Sequence, residues 1–204
     1  VVELLTWKPG TPFPDRHDEN AAIIRGAVRV EGIRFRFPAN SQNHESIVKN
    51  DIPPVVPSEA VLQDISFDVP PGSLLAITGP TGSGKSALVA LLCREYLPEH
   101  GSILIDNHPI ERIPETELRT KVACVPQDSF IFSATVRENL AMGNPAADDA
   151  AIWRACSIAG LDKEIRQLPA QLDTPLGERG VNLSGGQRQR LTIARALLRD
   201  PVIL

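Results

Sequence analysis

The chain has 204 residues, of which 42% are hydrophobic and 23% are charged, and its formal net charge is −4. These values are typical of one globular domain with some extra segments. The acidic balance argues against a nucleic-acid-binding surface, because a phosphate backbone selects for basic patches. No apolar run reaches the roughly 18–20 residues of a membrane-spanning helix and no signal peptide is visible, so we expect the chain itself to be soluble and cytosolic.

The first third of the chain predicts a linker and two strands. Residues 1–26 contain a short amphipathic piece followed by several prolines, which indicates a linker. Residues 27–37 alternate apolar and charged side chains as a strand does, with an offset at Gly32. Residues 38–59 are polar and rich in proline, which predicts a surface loop. Residues 61–69 alternate again and predict a second strand.

The stretch Gly79-Pro80-Thr81-Gly82-Ser83-Gly84-Lys85-Ser86 fits the phosphate-binding loop pattern G-x-x-x-x-G-K-[ST]. Residues 74–78 before it predict a buried strand, and residues 87–92 after it predict a helix. This order suits a phosphate ligand, because glycines let successive backbone N–H groups point at phosphate oxygens and the helix start adds its own donors. Lys85 supplies a positive charge for the outer phosphates, and the Ser86 hydroxyl is suited to Mg²⁺. A nucleoside triphosphate site is therefore favoured over a chance glycine-rich turn.

Farther along, short apolar strands alternate with helical segments. Residues 101–107 predict a strand between two turns, residues 114–120 a helical turn, and residues 121–125 a buried strand. Helical spacing recurs at residues 134–141, 148–159 and about 187–199, where Leu191, Ala194 and Leu198 share one face. Cys93 and Cys124 lie in apolar runs, which favours buried free thiols over a metal site or a disulfide. The order of elements predicts an α/β fold with antiparallel strands at the front.

A second glycine-rich helix start lies at Leu183-Ser184-Gly185-Gly186-Gln187. Such a start can hold an anion on its backbone donors, with the Ser184 hydroxyl as an added donor. Taken alone, these residues are better explained by a capped helix in a tight turn. Two phosphate-seeking helix starts in one chain suggest a nucleotide held between two copies of the domain.

LSGGQRQR, following GPTGSGKS, resembles the signature motif of the ATP-binding cassette (ABC) family, and the resemblance extends from Val28 onward. It implies an α/β P-loop NTPase cassette with an N-terminal antiparallel β subdomain, a mostly parallel RecA-like core and an α-helical subdomain, at about residues 128–190, that carries the signature. Residues 27–204 would form a nucleotide-binding domain whose C-terminal part is missing. Residues 202–204 would begin the family's Walker B strand, and we interpret the chain as a fragment that ends before the two acids of that motif.

The resemblance implies ATP and Mg²⁺ as cofactors. Phe37 stands where the family has an aromatic residue that stacks on adenine, although an ordinary core residue of a strand is the alternative. Gln127 matches the Q-loop glutamine, which contacts Mg²⁺ and the attacking water, and a plain turn glutamine is the alternative. The catalytic residues present would be Lys85 and Gln127, and the metal ligands Ser86 and Gln127. The implied nucleotide-binding set is Phe37, Gly79, Pro80, Thr81, Gly82, Ser83, Gly84, Lys85, Ser86, Ala87, Gln127, Leu183, Ser184, Gly185, Gly186 and Gln187.

Two segments resemble exporters in particular. Residues 130–140 resemble the stretch that packs under the coupling helices of a membrane domain, and residues 1–26 would be the linker from that domain. Residues 176–180 resemble the X-loop, in which Glu178 would face the membrane domain, and a solvated charge at a loop tip is the alternative. The resemblance implies an engine at the cytoplasmic face of a cell membrane, where ATP pairs two cassettes, identical or different, and hydrolysis separates them. Its partners would be the second cassette and transmembrane domains of the same polypeptide, not nucleic acid. The chain alone is expected to bind ATP but to hydrolyse it poorly. A soluble ABC protein that moves no solute and a regulatory cassette with little hydrolysis are the alternatives.

Overall fold

The computed structural model of the protein describes residues 25–38, 60–177 and 183–204. The chain divides between Pro114 and Glu115 into two compact units, which are described one at a time. The predicted linker up to residue 24, most of the predicted loop at 38–59, and Glu178 of the X-loop segment lie outside the described residues.

The first unit contains an antiparallel sheet in the order β2-β1-β3-β4. Its strands are β1 (Val28–Phe35), β2 (Leu62–Val69), β3 (His100–Ile105) and β4 (His108–Pro109). The predicted alternation is confirmed in β1, whose apolar side chains are buried between exposed charged ones. The predicted offset at Gly32 is confirmed as well, because the register shifts between Val30 and Ile33 and Gly32 has a φ of +56°.

The same unit contains α1 (Lys85–Leu92), which was predicted after the phosphate-binding loop. Its buried face consists of Ala87, Leu88 and Leu91. A short 3₁₀ turn at Ile110–Arg112 follows β4. Arg94 follows α1, is buried, and donates a 2.9 Å hydrogen bond to the carbonyl oxygen of Ile110.

The second unit is mainly helical, with α2 (Glu115–Lys121), α3 (Val136–Ala141), α4 (Asp149–Ile158), α5 (Asp162–Gln167) and α6 (Gly185–Leu197), and a 3₁₀ turn at Gln171–Asp173. The helices predicted at 134–141, 148–159 and 187–199 are confirmed, and the last begins two residues earlier than expected. Leu191, Ala194 and Leu198 are buried against α3, α4 and α5 as their spacing predicts. Most of these helices lie within the span 128–190 implied for the helical subdomain, whose bounds remain a prediction.

The two buried strands predicted for the parallel core are wrong for this structure. Residues 74–78 belong to no helix or strand, and Leu74 is 96% exposed. Residues 121–125 contribute a single parallel bridge, between Val122 and Ile203. An apolar strand is buried and fully hydrogen-bonded only when other strands pair with it on both sides. Within the described ranges, the Val122–Ile203 bridge is the only parallel pairing, so the two predicted strands have no such neighbours.

The cysteine prediction is correct in part. Cys124 is exposed rather than buried, because the buried strand predicted at residues 121–125, which would contain it, is not formed, and Cys93 is half-buried. Cys156 on α4 is buried, and its burial raises the pKa of the thiol to about 11. Cys124 and Cys156 are free thiols, as predicted. Of the helices in the described part of the chain, none is both long and apolar enough to cross a membrane.

Candidate nucleotide-binding site

The phosphate-binding loop curls around the ammonium group of Lys85. The Nζ atom donates to the carbonyl oxygens of Gly79 and Pro80, each at 2.7 Å, and lies 3.3 Å from the hydroxyl oxygen of Ser83. The backbone N–H of Ser83 donates to the Pro80 carbonyl at 3.3 Å, which closes the turn. Thr81, like the rest of the loop up to Ser83, is exposed, so a ligand can reach the loop backbone.

The loop ends at the start of α1, which has no side-chain cap and no acidic residue in its first turn. The first backbone N–H groups of a helix have no partner within the helix, and here they meet no carboxylate that would compete with an anion. The Ser86 hydroxyl lies in this first turn and is exposed. Hydroxyl and amide oxygens suit Mg²⁺, which keeps several waters and binds through phosphates. Within the described ranges, no cluster of three or more His, Cys, Asp or Glu residues forms a metal site.

Gly84 connects the loop to the sheet. Its φ is +89°, and a Cβ there would lie 2.6 Å from Leu62 Cδ2 and 2.9 Å from the Val61 carbonyl oxygen. Leu62 pairs with Phe35 across β1 and β2, and the Val61 N–H donates to the Phe35 carbonyl at 2.8 Å. The phosphate-binding loop therefore lies beside the end of β1, the end that leads to Phe37.

Phe37 follows β1 and is 41% exposed. Its ring makes edge-type contacts with Phe35, at a centroid distance of 5.0 Å, and with Tyr96, at 5.4 Å. Phe35, not Phe37, is the buried core residue of this cluster. The exposure of Phe37 beside the phosphate-binding loop leaves ring surface accessible to a ligand.

In the second unit, α6 begins with a capping box. The Ser184 hydroxyl accepts a 3.2 Å hydrogen bond from the Gln187 N–H, and the Gln187 side-chain oxygen accepts a 2.8 Å hydrogen bond from the Ser184 N–H. A hydroxyl that accepts one hydrogen bond still has its own proton to donate. Leu183 before the cap is buried and fixes the entry of the chain into the helix. The structure thus confirms the capped helix, and the binding of an anion by the same residues remains a prediction.

Gly185 and Gly186 are not required by any contact within the described chain. A Cβ on Gly185 would lie 3.9 Å from Arg188 Nη2, and one on Gly186 would lie 3.5 Å from Arg190 Nη1, which are ordinary contacts with flexible side chains. Neither glycine has the positive φ that favours glycine. Glycine destabilises a helix by about 0.5–1 kcal/mol relative to alanine. The open backbone at the start of α6 is therefore unexplained by the fold of the described residues.

Gln127 is exposed and belongs to no helix or strand of the second unit. The predicted site residues are thus divided between the units. Phe37 and the phosphate-binding loop with Ala87 belong to the first, whereas Gln127 and Leu183 to Gln187 belong to the second. Gln127 as a metal and water ligand remains a prediction.

An exposed aromatic pair follows Gln127, and sequence reasoning missed what holds it. Phe130 is 57% exposed, and its ring meets that of Phe132 at 4.6 Å. The buried Asn139 side chain accepts from the Phe132 N–H at 2.9 Å and donates to the Phe132 carbonyl at 3.0 Å. Arg195 of α6 donates to the Asn139 side chain at 3.0 Å and to the Phe130 carbonyl at 3.1 Å. The pair is therefore fixed to the helix that begins at Ser184.

Comparisons with known proteins agree with the motifs. The family profile of the ABC transporters matches residues 62–204. The chain is 37% identical to mouse "ATP-binding cassette sub-family B member 10, mitochondrial", and the match covers 99% of this chain and 26% of that protein. It is 39% identical to an ATP-dependent lipid A-core flippase of Chromohalobacter salexigens, and that match covers 94% of this chain and 31% of the flippase. Its structure is similar to that of a bacterial Atm1-family ABC exporter with ATP bound, with a TM-score of 0.77, 35% identity, and coverage of 92% of this chain and 30% of that one. The chain thus spans less than a third of the length of each of these relatives.

Proposed function

The chain belongs to the ABC transporter family, and from that premise we propose that it is the ATP-binding engine domain of an exporter. ATP pairs two such domains, ATP hydrolysis separates them, and membrane domains of the same protein follow this motion. The proposal places the domain at the cytoplasmic face of a cell membrane. The observation that carries it is the open backbone of Gly185 and Gly186, which the fold of the described chain does not need.

The first unit holds the phosphates and the base. Two carbonyl oxygens keep the Lys85 ammonium group inside the loop, which supports a role for this cation in binding the outer phosphates of ATP. The uncapped start of α1 adds backbone donors, and the exposed ring of Phe37 stacks on the adenine. Bound Mg²⁺ would neutralise charge on the outer phosphates, and the Ser86 hydroxyl is the ligand that the first unit would offer to it.

The second unit serves the ATP of the neighbouring copy. Its Ser184 hydroxyl and the backbone N–H groups of Gly185 and Gly186 donate to the γ-phosphate that the partner's phosphate-binding loop holds. A glycine without a side chain allows the helix start to approach the phosphate at hydrogen-bond distance. ATP binds the closed pair better than the open one, and only that difference in affinity can drive closure.

Membrane-domain segments dock on the exposed pair Phe130 and Phe132. An exposed aromatic pair is unfavourable in water, and large aromatic residues are typical anchors of protein interfaces. Because Asn139 and Arg195 fix this pair to α6, a displacement of the pair is transmitted to the signature residues at the start of that helix.

We propose that residues 1–204 expressed by themselves hydrolyse ATP slowly, and the residue we assign to the attacking water is Gln127. Gln127 can orient water through its amide, but an amide is not the carboxylate that polarises the water in this family. The comparison that tests this point is the ATPase rate of residues 1–204 against that of the full-length protein.

The experiment that tests the pairing is cysteine cross-linking between two copies. One copy of the full-length protein, without its native cysteines, carries Ser83→Cys and the other carries Ser184→Cys, so that only a contact between copies is detected by a short thiol cross-linker. We expect the cross-link with Mg²⁺ and ATP and not without nucleotide. A matched control replaces Ser184→Cys by Ile158→Cys, at an α4 position that is 73% exposed. ATP-independent cross-linking, or equal cross-linking of the control, would contradict the proposal.

A further inference from the structure

Three aromatic rings form one cluster in the first unit. Phe35 is buried, Phe37 is the most exposed of the three, and Tyr96 contacts both. The centroid distances are 5.0 Å between Phe35 and Phe37, 5.6 Å between Phe35 and Tyr96, and 5.4 Å between Phe37 and Tyr96. The planes of Phe37 and Tyr96 are nearly perpendicular, at 87°. This edge-to-face geometry is the favourable arrangement of aromatic pairs.

Backbone hydrogen bonds fix the chain on both sides of Tyr96. Before it, the Glu95 N–H donates to the Ala90 carbonyl of α1 at 2.8 Å, which continues the end of the helix. After it, the Glu99 N–H donates to the Arg34 carbonyl of β1 at 2.8 Å. The ring of Tyr96 is therefore positioned by α1, which begins at the phosphate-binding loop, and by β1, which leads to Phe37.

Within the described residues, no strand pairing holds the backbone of Phe37. It lies two residues beyond Phe35, the last residue of β1, and has no partner in the register of β1 with β2 or β3. In the same part of the chain, its ring contacts those of Phe35 and Tyr96. Removing the Tyr96 ring would therefore remove one of the contacts that orient Phe37.

We propose that Tyr96 is a positioning residue for nucleotide recognition, because its ring holds Phe37 with a face open to the base. This inference rests on the proposed function, in which Phe37 stacks on adenine. Tyr96 acts on the base alone, since the phosphate-binding loop makes its own contacts through Lys85 and Gly84. The effect of Tyr96 should therefore depend on whether the ligand carries a base.

The test compares ATP with inorganic tripolyphosphate, which has the phosphates and no base. Their dissociation constants are measured with Mg²⁺ by isothermal titration calorimetry on the full-length protein and its variants. Tyr96→Leu, which keeps apolar bulk without a ring, should bind ATP about threefold to tenfold more weakly, the range expected for one lost aromatic pair. Its affinity for tripolyphosphate should be unchanged, and Tyr96→Phe should behave as the wild type. If Tyr96→Leu fails to fold, Tyr96→Met takes its place.

Two comparisons separate this inference from the proposed function. Phe37→Ala should lose as much ATP affinity as Tyr96→Leu, and the double variant should lose no more than Phe37→Ala alone. If Tyr96→Leu weakens the binding of ATP and tripolyphosphate equally, the role of Tyr96 is structural and the inference is overturned. The inference is also overturned if Tyr96→Leu binds ATP as the wild type does while Phe37→Ala binds ATP more weakly. In that last case the proposed function stands. If the wild type does not prefer ATP to tripolyphosphate, the assignment of Phe37 fails and the inference fails with it.

Discussion

Replacement of Gly186 by alanine should stabilise the fold and abolish ATP-driven pairing. The nearest heavy atom to the added Cβ is Arg190 Nη1 at 3.5 Å, so the methyl group fits without displacing the backbone. Alanine in a helix is about 0.5–1 kcal/mol more favourable than glycine, and the first turn should give part of that gain. For a protein of this size each kcal/mol corresponds to about 2–4 °C in Tm. We therefore expect Gly186→Ala to melt at the wild-type temperature or a few degrees above it.

The loss of pairing follows from the same methyl group. In the proposed pair the N–H groups at the start of α6 donate to a phosphate of the partner's ATP, and a Cβ beside them holds the phosphate away. Loss of the hydrogen bonds to a charged group costs about 1.5–3 kcal/mol, which is more than tenfold in the pairing constant. Sedimentation velocity of the full-length protein with Mg²⁺ and ATP measures the fraction of closed pairs, and differential scanning calorimetry measures Tm.

The matched control is Gly143→Ala. A Cβ on Gly143 would lie 2.1 Å from the Arg195 carbonyl oxygen, so the end of α3 must move away from α6. Such overpacking destabilises by about 1–3 kcal/mol, and Tm should fall. If Gly186→Ala lowered Tm as Gly143→Ala does, or if it paired normally with ATP, the reasoning about the start of α6 would be refuted.

Four further outcomes follow from the described contacts. Lys85→Ala should weaken ATP binding tenfold or more, because it removes the cation that faces the phosphates, and an unchanged affinity in a titration would contradict the site. Ser184→Arg should cost the helix cap about 1 kcal/mol and leave ATP binding to the unpaired domain intact, while sedimentation shows no ATP-dependent dimers. Asn139→Leu should destabilise by about 3 kcal/mol in urea unfolding, because it leaves the partly buried Phe132 N–H and three backbone carbonyls without their partner, and a loss below about 1 kcal/mol would refute this. Hydrogen bonds from the backbone N–H and the hydroxyl of Thr135 hold the pKa of the Glu138 carboxyl below its ordinary value of 4.5. The stability that Glu138 contributes is therefore present above pH 4.5 and is lost as the pH falls through the lower pKa of the folded state. In Glu138→Gln, the free energy of unfolding should depend less on pH in this acidic range.

Local patterns predicted the elements that their own residues determine. The alternation in β1 and β2, the helical spacing in α4 and α6, and the glycine motif before α1 all depend on side chains close together in the chain. The family resemblance drawn from the two glycine motifs is confirmed by the profile match and by the Atm1-family structure, which also confirms the predicted ABC cassette fold.

Predictions failed where burial depends on distant neighbours. The apolar residues 74–78 indicate a strand, but the hydrogen-bonding partners of a parallel strand come from elsewhere in the chain, and pattern alone does not supply them. The contacts of Asn139 with Arg195 join residues 56 positions apart. Asn139 lies in the segment 130–140 that resembles exporters and Arg195 lies in no motif, but periodicity and spacing contain no signal for the contact between them. The same holds for Tyr96, whose importance is visible only from the three rings together.

The glycines near helix ends show what the sequence predicts and what only the structure reveals. In the sequence, Gly84, Gly143, Gly185 and Gly186 are equally small residues near helix ends. The structure separates them, because a side chain on Gly84 or Gly143 would collide with the chain's own backbone, whereas one on Gly185 or Gly186 would not. A glycine that the fold requires says nothing about a ligand. A glycine at a helix start that the described residues do not require lowers the stability of the helix. Its presence there supports our proposal that a ligand approaches this backbone.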